Sequence, residues 1–146
     1  MDADPETLAA RDAYLNVVRV HEMLAAEFAE LFREHGITQP QFNVLRILRG
    51  AGKAGATCRT IGDELLNRVP DVTRLIDRME SAGLVVRERS DTDRRVVRVR
   101  LTPKGRRLCD SLDEPVLDLH RRQLEHLSSS QVETLNRGLR RVLARD

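Results

Sequence analysis

Between Pro70 and Ala82 the apolar residues Val72, Leu75, Ile76 and Met79 recur at i, i+3, i+4, i+7, the spacing of one buried helix face. The opposite face then presents Asp71, Arg74 and Arg78 in one row, flanked by Thr73 and Asp77. A guanidinium is a permanently charged planar fork that pairs bidentately with a phosphate or with the edge of guanine. Asp71 either accepts from a cytosine amino group or sits near the positive end of the helix dipole. The plain alternative for Arg74 and Arg78 is a solvated face, ion-paired to Asp71 and Asp77 along the helix. A second set follows, in which Arg87, Arg89, Arg98 and Arg100 either contact phosphate or frame a hairpin, with Arg94 and Arg95 at its tip. Asp93, two residues before Arg95, can hold that arginine extended and so lower the entropy lost on inserting it into a groove.

The distribution of charge fits a polyanion partner. The formal net charge is only +2, yet residues 1–36 carry three basic against eight acidic residues, and residues 57–107 carry thirteen basic against eight acidic. Residues 37–56 add Arg46, Arg49 and Lys53 with no acid at all. A central basic surface is the footprint of nucleic acid, whose counterions are released on binding.

Other classes fit less well. A chain of 146 residues, 40% hydrophobic and 33% charged, is expected to build one helical unit with a modest core. The opening Met1–Glu6 is acidic where a secretory signal would be basic, and no apolar run approaches the ~20 residues of a membrane span, so a cytoplasmic protein is expected. Cys58 and Cys109 are too few for a disulfide framework and are not spaced as a metal knuckle. His120 and His126 fall about 240° apart on a helix and cannot share a metal in one chain. Without a nucleophile elbow, a phosphate-cradling glycine loop or a paired His-Glu motif, no enzyme and no cofactor is expected. Cys58, near the start of a short helix, leaves a cysteine-based redox regulator as one alternative, and a protein-interaction dimer that has lost nucleic-acid binding as another.

The elements that must position these residues can be read from spacing. Tyr14, Val17, Val18, His21, Leu24, Ala25, Phe28, Leu31 and Phe32 define one long amphipathic helix from about Thr7 to His35, ended by Gly36. Thr38 caps a second helix with Pro40 in its first turn and Phe42, Leu45 and Leu48 inward. Gly50–Gly55 is expected to be a loop, and a short helix follows over 59–66. The arginine-bearing helix over 70–82 comes next, then strands over 84–89 and 96–101. Thr102 and Pro103 open a long helix that Pro115 should kink. Ser128 and Gln131 form a capping box for a last helix with Val132, Leu135, Leu139, Val142 and Leu143 inward. Helix, short turn, helix and arginine-rich hairpin is the order of a winged helix-turn-helix. Its second helix fits a major groove about 12 Å wide, and its wing touches backbone or minor groove.

Several segments together resemble the MarR family of bacterial regulators: Thr38-Gln-Pro-Gln-Phe42, Pro70–Glu80, Gly83-Leu-Val85, Asp93-Arg-Arg95, Leu101-Thr-Pro-Lys-Gly105 and Leu127-Ser128. The resemblance spans nearly the whole chain. It implies a mainly α fold with a small β-hairpin wing, in which 37–102 is the winged helix-turn-helix and the outer helices, 1–36 and 103–146, intertwine as a homodimer. It also implies a pseudo-palindromic double-stranded DNA operator, usually under repression. The family's wing pattern falls on Asp93 and Arg95, giving Arg95 a minor-groove role and Asp93 the role of orienting it, with Arg94 on the backbone. Arg68-Val-Pro-Asp71 stands where many relatives open the recognition helix with serines, and Arg68 joins the candidate contacts. Release by a small aromatic or phenolic acid is implied too, with Tyr14, His21, Phe28, Phe42 and Arg46 as candidates for the cleft. The peroxide-sensing branch carries its reactive cysteine in the first helix, and this chain has none there.

Overall fold

The computed structural model describes residues 4–145. Met1–Ala3 and Asp146, the outermost ends of the region assigned to dimerisation, lie outside the described residues. Helix starts follow their caps. Asp4 accepts from the backbone N–H groups of Glu6 and Thr7 and opens α1 (Pro5–Glu34). Thr38 and Gln41 close a reciprocal capping box on α2 (Gln39–Ala51). Thr57 caps α3 (Cys58–Glu64), and Asp71 caps α4 (Val72–Ser81) through a 2.9 Å bond from the Arg74 N–H. The strands β1 (Val85–Arg89) and β2 (Val97–Leu101) pair antiparallel with Val85 opposite Leu101 and Arg89 opposite Val97. Thr102 caps α5 (Pro103–Ser111), α6 is Asp113–Leu124, and a Ser128/Gln131 capping box opens α7 (Ser129–Leu143).

One expectation about local structure needs correction. The glycine-rich segment is not loop from its start, because α2 runs through Gly50 to Ala51 before a short 3-10 turn over Gly52–Ala54. Packing of Leu48 and Ala51 against the core outweighs the intrinsic cost of one mid-helix glycine. The helix after Thr102 is interrupted at Leu112, as Pro115 leads one to expect, because the proline has no N–H for the Ser111 carbonyl four residues back. Pro115 lies in the first turn of α6, where its missing N–H has no intrahelical partner to lose.

One hydrophobic core links the helix-turn-helix to the helices around it. Phe32, Phe42, Leu45, Leu48, Ile61, Ile76, Met79, Val85, Val99, Cys109 and Leu112 are all buried in it. The apolar stripe of α4 behaves as its spacing predicts: Ile76 and Met79 are fully buried, and Val72 and Leu75 pack against the core. Burying a side chain of that size contributes about 1.5–3 kcal/mol, so the stripe fixes which face of α4 is left outward.

The flanking helices differ from expectation. In α7 no residue is buried, and Leu135, Leu139, Val142 and Leu143 are exposed where an inward face was expected. The first half of α1 likewise exposes Leu8, Tyr14, Leu15, Val17, Val18 and Val20. Periodicity identified an apolar face on each helix, but a single chain supplies nothing to cover either. No helix among the described residues is long and apolar enough to cross a membrane.

Candidate nucleic-acid interface

The polar face of α4 carries Thr73, Arg74 and Arg78, all exposed. Neither Arg74 nor Arg78 makes an ion pair among the described residues, so the face is solvated without the expected pairing to Asp71 and Asp77. Asp77, their expected partner, instead pairs with Arg87 at 2.7 Å. Asp71 Oδ1 accepts the Arg74 N–H and holds the first turn of α4, and the carboxylate is exposed. Arg68 is exposed in the connection between α3 and α4.

Arg87 is engaged within the chain and frames the hairpin. Its guanidinium binds Asp77 and Glu80, donates to the Thr73 carbonyl at 3.2 Å, and is only 22% exposed. The Glu80 carboxylate also accepts the Arg87 backbone N–H at 3.0 Å. Desolvation opposes the charge on Arg87, and the hydrogen bond it donates to Asp77 with the nearby carboxylates outweighs it, raising its pKa. These bonds lock β1 to α4 and so fix the wing beside the arginine row. Arg100 is likewise engaged, with Glu88 and with the Lys53 carbonyl.

The wing tip is shaped by its own backbone. Ser90 donates its N–H to the Val96 carbonyl at 2.9 Å, and Val96 donates back to the Asp93 carbonyl at 3.0 Å. Asp93 Oδ1 accepts the Arg95 backbone N–H at 3.0 Å. Asp93 therefore orients Arg95 through the main chain, a different route from a carboxylate–guanidinium contact. Arg89 donates to the Arg94 carbonyl at 2.9 Å and braces the tip from the strand. Arg94 and Arg95 are exposed.

Lys104 Nζ donates to the Ala82 carbonyl at 2.8 Å and Thr102 Oγ1 to the Gly83 carbonyl, tying α5 to the end of α4. Sequence reasoning assigned Thr102 only a capping role and missed the tie made by Lys104. The pairing crosses from one helix to the far end of another, and no local spacing encodes it.

The five candidates for a small-molecule cleft separate. Tyr14 is 66% exposed and His21 is also exposed, both toward the first half of α1. Phe28 stacks with Phe32 and lies 4.8 Å from the His120 ring, between centroids. Phe42 is a core residue, stacked on Phe32 at 4.6 Å. Arg46 sits 6.0 Å over the Phe42 ring and lines a recess of about 330 Å³ with Asn43, Ile47, Glu64 and Leu66. No group of three His, Cys, Asp or Glu residues that could hold a metal occurs among the described residues. Cys109 is buried, and desolvation pushes its thiol above the ordinary range, disfavouring the reactive thiolate.

An amphipathic helix packed through a short turn on its predecessor, beside a two-stranded wing braced to it by Arg87, defines a winged helix-turn-helix protein. A model of the MarR family matches residues 35–96. Along 96% of its length the chain resembles the MarR transcription factor from Planctomyces limnophilus, at 37% identity, a TM-score of 0.71 and 98% coverage of that chain. A mutant MarR from E. coli, solved in complex with operator DNA, is 30% identical at a TM-score of 0.80, covering 97% of this chain and 99% of its own. The HTH-type transcriptional repressor IacR of Pseudomonas putida is 29% identical over 123 residues, 84% of this chain and 72% of the relative. The chain belongs to the MarR family, which consists of transcription regulators and not enzymes.

Proposed function

We propose that the chain is a homodimeric transcription regulator, acting in the cytoplasm, that binds a pseudo-palindromic operator with half-sites about one helical turn apart. The observation that carries this reading is the row Thr73, Arg74 and Arg78, exposed and without an ion pair among the described residues, beside an exposed Arg95 at the wing tip. In this reading α4 enters the major groove, where Arg74 and Arg78 meet base edges or phosphates and Thr73 lies alongside. Arg95 enters the minor groove, whose narrow A·T tracts concentrate negative potential. Arg68 and Arg94 contact the backbone, while Arg89 and Asp93 hold the tip. The exposed apolar faces of α1 and α7 support a dimer that buries them against a second copy.

Repression is supported by the regulator relatives, one of which is a transcriptional repressor. Release by a small aromatic or phenolic acid would draw on Arg46 for the carboxylate and on the Phe28 ring for stacking, with Tyr14 and His21 reached only across the dimer. The test is fluorescence anisotropy of the protein with its own upstream DNA and with a scrambled duplex, at two salt concentrations. Tight binding to the upstream duplex with a log–log salt slope of about 0.9 per neutralised phosphate is expected. Equally weak, salt-insensitive binding to both duplexes would overturn the reading in favour of a protein partner.

A further inference from the structure

Arg49, in the last turn of α2, joins three helices. Its Nη1 donates to Asp110 at 2.8 Å and to Asp113 at 2.9 Å, and its Nη2 donates to the second oxygen of Asp113 at 2.8 Å. Asp110 lies in the last turns of α5 and Asp113 is the first residue of α6, so one guanidinium spans the break at Leu112. The guanidinium is 26% exposed against 52% and 49% for the two carboxylates, which makes this a partly sheltered pair with bidentate geometry. The hydrogen bond from Arg49 holds Asp113 below the ordinary carboxylate range.

Pro115 interrupts the helical run, having no N–H for the Ser111 carbonyl, but it does not fix the angle at which α5 and α6 then meet. No side chain caps the N-terminus of α6, and Asp113, well placed to favour that end, is turned onto Arg49. Asp110 is an anion near the negative end of α5, a position the helix dipole disfavours unless a cation is beside it. The helix dipole favours Asp113 in the first turn of α6 but not Asp110, and Arg49 draws both carboxylates onto one guanidinium. Leu112, fully buried, anchors the pivot but does not set the angle between the two helices. Beyond this pivot run α6 and α7, two of the helices assigned to dimerisation, and before it lies the lobe carrying α4 and the wing.

We propose that Arg49 is a positioning residue for operator spacing: its clasp on Asp110 and Asp113 fixes the angle between α5 and α6, and with it the separation of the two recognition helices in the dimer. The function rests on the operator-binding dimer proposed above. Moving one half-site by a base pair displaces it by about 3.4 Å and turns it by about 35°, which a rigid dimer cannot follow. A dimer with a loosened pivot can. Arg49 touches no DNA in this scheme and acts only through α5 and α6.

The experiment measures affinity for operators whose half-sites are spaced one base pair closer, as found, and one base pair wider. The native chain should lose about tenfold in affinity at the altered spacings, on the scale of a mismatched base pair, while Arg49→Gln should lose less than about threefold. Arg49→Lys keeps the charge without the fork, should fall between the two, and serves if the glutamine variant does not fold. An unchanged spacing profile, or an equal loss at every spacing, overturns the proposal.

A second arm needs no DNA. Nitroxides at Ser81→Cys and Glu125→Cys, in a Cys58→Ser background diluted with unlabelled protein, report the distance from α4 to the end of α6 within one chain. A narrow distribution that broadens on Arg49→Gln supports the clasp, and identical distributions overturn it. Broadening in a protein that binds no operator at any spacing would instead defeat the regulator reading and leave the clasp standing.

Discussion

Arg87 and Arg95 sit in one hairpin and have opposite duties. Arg87 is held by Asp77, Glu80 and the Thr73 carbonyl, while the Arg95 side chain is exposed and only its backbone N–H is engaged, by Asp93. Composition makes them equivalent, and only the three-dimensional partners separate them. Arg95→Ala should weaken operator binding by about 1–3 kcal/mol in an anisotropy titration of folded dimers, and Asp93→Ala should weaken it partly, since the tip then loses the turn that presents the arginine. Unchanged affinity in both would remove the wing from the interface. Asp71→Ala should lower stability by about 0.5–2 kcal/mol in a urea titration, as the loss of an N-cap does, because its carboxylate closes the first turn of α4. Full native stability would remove the capping role from Asp71.

Among the elements, the wing and the helix after it are joined by one close approach. A Cβ on Gly105 would lie 2.1 Å from the Leu84 carbonyl oxygen, so α5 can pack on the start of the hairpin only where a side chain is missing. Gly105→Ala should therefore destabilise the fold by about 1–3 kcal/mol or more, read from the midpoint of a thermal or urea transition, with the strain falling on backbone that cannot move aside. At this scale much was legible beforehand. The caps at Thr38, Thr102 and Ser128, the α4 stripe and the paired strands follow from short-range rules, because each is decided within a few residues. The end of α2 was misplaced, because long-range packing decides it, while the interruption before Pro115 was legible from the proline alone.

Across the whole molecule, the apolar faces of α1 and α7 find no cover within one chain. Leu139→Glu should yield a monomer in sedimentation equilibrium while the α2–α4 core stays folded, and should abolish high-affinity operator binding, since one recognition helix alone reads half a site. A dimer that persists at micromolar concentration would move the interface away from α7. Sequence by itself determined the order of elements, the outward arginine row and the wing, because hydrophobic period, capping residues and turn chemistry are local signals. It also determined the family, through motifs spread along nearly the whole chain. Only the tertiary structure decided which arginines are free: Arg87, Arg100 and Arg49 are held by carboxylates or carbonyls, most of them from other elements, while Arg74, Arg78 and Arg95 remain outward. The physical reason is that an ion pair depends on distances across the fold, and those distances exist only once the core has set the helices against one another.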